Sequence, residues 1–245
     1  MPIFPNQFYH VYNQGNNRRQ LFFERADYLH FIELIRRFIF PNAEIFSRCI
    51  IPNHFHFLIW TNEQSVKPKK PGSLEVQYIT NAFRVLQSSF SAIQNTIYKQ
   101  TGYWFRQRTK FEIIENDAYS MTAFHYIYQN PIRANLVNDQ KVWEFLSFHD
   151  YAGLRNGTLC KKDLTLRLIG YDENRFMEEA FTMIPESVFK EICKLQFDRC
   201  EWLTEGLKPS GEFKYQKENK KDKDRDDKGL DDNDQEINGL TASQF

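Results

Sequence analysis

Two histidines one residue apart stand in the stretch Ile50-Ile51-Pro52-Asn53-His54-Phe55-His56-Phe57-Leu58-Ile59-Trp60. The apolar run after a Pro-Asn turn signal predicts a β-strand from His54 to Trp60. Side chains two apart on a strand point the same way, so His54 and His56 leave one face, and Phe55 and Phe57 the other. Two imidazoles so placed can share one divalent metal ion. A second pair, Tyr126 and Asn130, stands four apart at the end of a predicted helix and shares one of its faces. A phenol there can act as a nucleophile, and an amide oxygen as an auxiliary metal ligand. Taken one at a time, the pairs read better as two histidines at a strand edge and a tyrosine packed in a core.

Cations gather in two further segments. Gln14-Gly15-Asn16-Asn17-Arg18-Arg19 is a turn whose Gly and Asn residues suit positive φ, and whose Arg18 and Arg19 can grip phosphate. Trp104-Phe105-Arg106-Gln107-Arg108-Thr109-Lys110 interleaves aromatics with Arg106, Arg108 and Lys110. Rings for base stacking and charges for phosphates are a usual make-up for holding single-stranded nucleic acid. The same pattern also arises when the rings are core and the cations face water.

The elements that must position these residues follow from periodicity. Alternating aromatic and β-branched residues over 8–13 predict a first strand. Helical spacing runs from Ala26 to Ile39 and is closed by Pro41. Glu44–Ile51 reads as the second strand, joined to the third at Pro52-Asn53, and a basic loop covers 61–73. A helix is expected over about Leu74–Lys99, ended by Gly102, and a fourth strand follows around Phe111–Ile114. The order βαββαβ implies an α+β, ferredoxin-like antiparallel sheet with helices on one face. The next helix is expected from about Ala118 to Gln129, stopping near Asn130-Pro131. An aromatic-rich segment from Trp143 to Gly153 closes this domain, placed at 1–155. A mostly helical extension (156–208) and a charged tail expected to be disordered (209–245) complete the chain.

The formal net charge is zero, but residues 1–138 hold 15 Lys/Arg against 9 Asp/Glu, while 215–245 hold 6 against 9. A basic body with an acidic tail suits an anionic partner, nucleic acid included. Four cysteines (Cys49, Cys160, Cys193, Cys200) show neither a C-x-x-C pair nor a framework spacing, as expected of free thiols in a reducing compartment. No apolar run reaches membrane-spanning length and the start lacks signal-peptide features, so a cytoplasmic protein is expected.

Taken in order, the motifs resemble one family. His54-Phe55-His56 is similar to the histidine–hydrophobe–histidine (HUH) motif of single-strand DNA transposases with one catalytic tyrosine. Tyr9-His10-Val11-Tyr12-Asn13-Gln14-Gly15-Asn16-Asn17-Arg18 resembles the family's opening motif, with Gln14 where Arg is usual. Tyr126-Ile127-Tyr128-Gln129-Asn130-Pro131-Ile132-Arg133-Ala134-Asn135-Leu136-Val137 looks like its tyrosine signature. The closing segment from Trp143 to Gly153 is similar to that of the REP-associated tyrosine transposase branch. The resemblance covers about 5–155 and implies Mg²⁺ or Mn²⁺ held by His54, His56 and Asn130, with Tyr126 as nucleophile. It further implies cleavage and rejoining of single-stranded or hairpin DNA through a 5′-phosphotyrosine, by a monomer or a homodimer. Tyr128 is the rival nucleophile, but two residues along a helix it faces roughly the other way. Arg18, Arg19, Arg106, Arg108 and Lys110 are the expected DNA contacts. The competing readings are a related nicking enzyme (relaxase or replication initiator), a catalytically idle DNA-binding regulator, and a histidine phosphoesterase. The last is disfavoured because Leu58 stands where a third alternating histidine is needed.

Overall fold

The computed structural model describes residues 2–69, 76–114, 117–185 and 187–188. Its first half runs β1 (Phe8–Gln14), α1 (Arg25–Leu34), β2 (Glu44–Ile51), β3 (His54–Trp60), α2 (Glu63–Val66), α3 (Tyr78–Ile97) and β4 (Lys110–Ile114). The strands form one antiparallel sheet in the order β2-β3-β1-β4. This is the α+β, ferredoxin-like arrangement that the βαββαβ pattern implies. Pro52 and Asn53 make the two-residue connection, with Ile51 opposite His54. In the register of β1, Gln14 lies opposite His54, Tyr12 opposite His56 and His10 opposite Leu58.

Alternation along β3 sends its phenylalanines to the face covered by α1 and α3. Phe31 of α1 lies 5.3 Å from Phe55, and Phe83 of α3 lies 6.0 Å from Phe57 and 5.4 Å from Phe111. These tilted and edge-on rings, with Phe90 and Phe105, form an aromatic cluster within a core that also buries Val11, Ile35, Ile79 and Leu86. The helix expected to reach Ile39 does continue, but from Ile35 to Ile39 its hydrogen bonding widens to the π pattern. The part of the long helix expected at 74–75 lies outside the described residues.

The second face of the sheet is covered by α4 (Asp117–Arg133). This helix touches both β2 and β4, the two outermost strands, and β3 between them, so it crosses a face. Because α1 and α3 hold the Phe55/Phe57 face, α4 lies on that of His54 and His56. It also runs past Pro131 instead of stopping there. Proline has no N–H to offer the carbonyl of Ile127. The side-chain amide of Asn130 supplies the donor, reaching Ile127 O and Tyr126 O at 3.2 Å each.

The chain then returns to β2. Phe145–Ser147 pairs with its outer edge through Ile50 N–H to Phe145 O (3.2 Å) and Ser147 N–H to Arg48 O (3.0 Å), which covers an otherwise open strand. α5 (Phe148–Tyr151), α6 (Lys162–Ile169) and α7 (Phe176–Phe181) follow. Phe124 and Tyr128 of α4 pack with Phe148, Tyr151 and Phe176 in a second aromatic cluster. The carbonyls of Ala180, Thr182 and Ile184 accept from Gln140, Gln129 and Arg133, so the extension is bonded along α4. The helical pattern expected beyond Val188, Cys193, Cys200 and the charged tail lie outside the described residues. Cys49 and Cys160 are buried free thiols, and burial pushes the pKa of Cys160 up to about 12.

Two stability predictions arise here. Asp150 is fully buried and takes a bidentate pair from Arg155 (2.6 and 3.1 Å), beside the buried Arg48. Removing that carboxylate leaves buried positive charge without its counter-ion. Asp150→Ala is therefore expected to lower stability by about 3 kcal/mol, read from the urea midpoint. An unchanged midpoint would show that the ion pair is not structural.

His125 on α4 is 5 % exposed and burial lowers its pKa to about 4. Glu179 of α7, itself paired with Arg175, is the acid facing it, at 3.6 Å. A depressed folded pKa means that the unfolded chain binds the proton first, so stability falls as pH drops from about 6.5 toward 4. The limiting slope is about 1.4 kcal/mol per pH unit for one histidine. Urea midpoints at pH 7, 6 and 5 should fall less steeply in His125→Gln; identical pH profiles would rule this histidine out.

Candidate active site

His54 and His56 leave β3 on the face beneath α4, both almost fully buried, with ring centroids 4.9 Å apart and planes at 90°. Each ring is held from behind. His54 Nδ1 lies 2.7 Å from Asn53 Oδ1; an oxygen can only accept, so Nδ1 carries the proton and Nε2 the lone pair. His56 Nδ1 lies 2.9 Å from Nε2 of His10, whose ring stacks on it at 5.1 Å. His56 Nε2 is buried with no hydrogen-bond partner among the described residues. An orphaned buried N–H is rarer than an orphaned acceptor. That favours the tautomer in which His56 Nδ1–H donates to His10 and Nε2 is a bare lone pair. Tyr12 extends the stack, with its ring 5.0 Å from His10 and its hydroxyl donating to Glu112 Oε1 at 2.6 Å.

Burial sets the charge state. It lowers the pKa of His10 to about 4 and of His54 to about 3. His56 is pushed well below the ordinary imidazole value by burial, with His54 and His10 adding to the effect. Neutral rings with protonated, hydrogen-bonded Nδ1 atoms are the form in which imidazole binds a metal. Among the described residues no group of three or more His, Cys, Asp or Glu could hold a metal ion. The protein's donor set here is thus two imidazoles and any amide oxygen that α4 brings.

His10 was not singled out from the sequence as a site residue. It lies four residues before a cation-rich turn and forty-four from His54, and only the β1–β3 register brings it to His56. The strict alternation of Tyr9-His10-Val11-Tyr12 was the available signal, because it places His10 and Tyr12 on one face.

On α4, Tyr126 is 2 % exposed and the guanidinium of Arg133 lies 5.2 Å from its ring centre. Asn130 is buried, and its amide nitrogen is occupied by the carbonyls freed near Pro131, which leaves Oδ1 as its acceptor atom. Tyr128 is turned into the second aromatic cluster against Phe124, Phe148 and Phe176, and burial raises its pKa well above the usual phenol value. The two tyrosines are therefore differently placed, as their spacing implies.

The cations gather at one end of the sheet. Gly15 N–H bonds to Asn53 O (2.8 Å), Leu21 and Phe22 N–H bond to Pro52 O, and Arg106 N–H bonds to Gln14 O (2.9 Å). The turns holding Arg18, Arg19 and Arg106 thus meet beside the connection that leads into His54. Gly15 is required for this approach, since a Cβ there would fall 2.1 Å from Arg19 O. Arg18 sits at φ +61° and is exposed. Arg19 is committed to the protein, lying 4.0 Å over the Trp104 ring and bonding to Gln100, which lowers its value as a ligand contact. Arg108 and Lys110 lie further along, where β4 begins.

No protein-family model matches the chain, and no curated protein matches it. Among solved structures it is similar to a REP-associated tyrosine transposase bound to a REP hairpin, with 18% identity, 71% of this chain and 87% of that chain covered, and a TM-score of 0.46. It is also similar to tRNA(His) guanylyltransferase from Saccharomyces cerevisiae, with 8% identity, 83% and 85% covered, and a TM-score of 0.38. Both TM-scores lie below 0.5, so neither likeness assigns a family.

Proposed function

We propose that this chain is a metal-dependent enzyme that cleaves and rejoins single-stranded DNA, with a hairpin as its recognised feature, through a 5′-phosphotyrosine at Tyr126. One observation carries the reading: His54 and His56 are buried, neutral and backed at Nδ1, on the sheet face crossed by the helix of Tyr126 and Asn130. Packing alone gives no reason to bury His56 Nε2 without a partner, whereas a cation beside it accounts for that atom.

His54 Nε2, His56 Nε2 and Asn130 Oδ1 are the atoms that would hold Mg²⁺ or Mn²⁺. So few protein donors suit an ion that keeps waters and takes phosphate oxygens into its shell. When bound, the ion polarises the scissile phosphate. The Tyr126 oxygen attacks phosphorus, the bond to the 3′ oxygen breaks, and that oxygen leaves as a hydroxyl while the phenol proton is lost. The guanidinium of Arg133 offers positive charge beside the phenol as it ionises. Because a phosphotyrosine ester keeps the phosphodiester's energy, a 3′ hydroxyl can reverse the step and reseal a strand. Arg18 and Arg106, exposed around the mouth of the site, would hold phosphates.

The test is a labelled single strand with a hairpin end, incubated with the full chain and Mn²⁺ and run on a denaturing protein gel. A covalent protein–DNA band that chelator abolishes is the expected result. Tight binding without a band under any metal would make the chain a DNA-binding protein that retains the fold, and would overturn the enzymatic reading.

A further inference from the structure

β4 is a terminal strand of the sheet, and its outer flank is not a flat edge. A groove of about 920 Å³ lies between it and α3. Its rim carries Arg84 from α3, Arg108 from the loop before β4 and, round the strand's edge on the Tyr12 face, Lys110 from β4, with Glu112 the one acid among the described residues that line it. Its walls mix polar side chains with apolar ones, among them a partly exposed Phe111 and Val76, the latter 42 % exposed. Glu112 opposes an anion weakly, because burial raises its pKa and its Oε1 is taken by the Tyr12 hydroxyl at 2.6 Å.

Cations along a rim with an open aromatic between them match a flexible polyanion that also presents flat rings. A duplex keeps its bases stacked inward and has no use for Phe111, while an acidic peptide would use the charges and the strand edge but not the ring. The groove also leads somewhere. Lys110 lies opposite Tyr12 and Glu112 opposite His10 in the β1–β4 register, and Tyr12 lies opposite His56 in the β1–β3 register. A strand in the groove therefore has its next contacts one strand away from the histidine pair.

We infer that the α3–β4 groove binds single-stranded DNA, with phosphates on Arg84, Arg108 and Lys110 and a base against Phe111, and leads the strand to the histidine face. This deepens the proposed function and rests on it; Arg84 and Phe111 are the residues it adds. The contacts are charge and stacking, so the groove is indifferent to base sequence.

The experiment uses the full chain carrying Tyr126→Phe, which prevents turnover, with a fluorescein-labelled 20-nucleotide oligo(dT) followed by anisotropy. Arg84→Ala with Lys110→Ala is expected to weaken binding about tenfold. It should also reduce the slope of log affinity against log salt by about 1.4, two phosphate contacts at roughly 0.7 each on a single strand. Phe111→Leu keeps an apolar side chain but should weaken binding several-fold through lost stacking. Lys162→Ala with Arg167→Ala, on α6, removes the same charge elsewhere and should leave affinity nearly unchanged. If the starting protein binds a hairpin-ended strand but not oligo(dT), this inference fails alone; if it binds neither, the proposed function itself fails. If it binds and the groove variants match it in affinity and salt slope, DNA runs elsewhere and this inference fails alone. A dimer in light scattering that Arg84→Glu dissolves would assign the groove to a second copy and overturn the inference as well.

Discussion

Replacing Tyr126 by Phe is expected to abolish the covalent protein–DNA product, while Tyr128→Phe retains it. The substitution removes one oxygen from α4 and leaves the buried ring and its contact with Arg133. The fold should therefore persist, with a thermal midpoint close to that of the native chain. The chemistry should not: deletion of a covalent nucleophile typically lowers turnover by on the order of 10⁴-fold or more. Tyr128→Phe tests the alternative from the other side. That hydroxyl is buried within the second aromatic cluster with no hydrogen-bond partner among the described residues, so its loss is expected to leave cleavage intact and to cost no stability. A band lost in Tyr128→Phe and kept in Tyr126→Phe would keep the enzyme class and overturn the site. Tyr126 is 2 % exposed, so a phosphate reaches it only where covering side chains part.

The second large effect is expected at His10. Its Nε2 is the only hydrogen-bond partner found for the ring of His56 among the described residues, and the two rings stack 5.1 Å apart at 11°. His10→Phe keeps the stack and removes the acceptor, which frees His56 to carry its proton on Nε2, where a metal would bind. Loss of such a backing hydrogen bond typically lowers metal affinity 10–100-fold. Titration calorimetry with MnCl₂ alone should show that loss, and cleavage should recover as Mn²⁺ is raised. His10→Gln can still accept from His56 and should lie between the two. The ¹⁵N shifts of His56 report the tautomer directly, and should change in His10→Phe but little in His10→Gln. Equal Mn²⁺ affinity in all three proteins would make His10 a packing residue.

The fold was legible because each element carries its own period. The apolar run of 54–60, alternation in 8–13 and helical spacing in 26–39 and about 74–99 fix which side chains share a face before any contact is known. The two-residue Pro52-Asn53 turn then fixes how β2 meets β3. The end of α4 was not legible: Pro131 is a stop signal by its own chemistry, and only the Asn130 side chain, standing in for the missing N–H, lets the helix run on to Arg133. The pairing of Phe145–Ser147 with β2 was hidden for another reason. Three residues are too few to show a period, and their partner lies about a hundred positions away.

The candidate site divides along the same line. By itself the sequence determined that His54 and His56 share a face, that Tyr126 and Asn130 share another, and that Tyr128 turns away from Tyr126, since all three follow from residue geometry within one element. What only the tertiary structure decided is which elements meet: α4 laid across the histidine face, His10 brought to His56 by register, Arg19 drawn onto Trp104, and Arg84 brought to the groove beside β4. Each of these joins residues far apart in sequence. The choice among such pairings is made by burial and hydrogen bonding summed over the whole sheet, which no local stretch encodes.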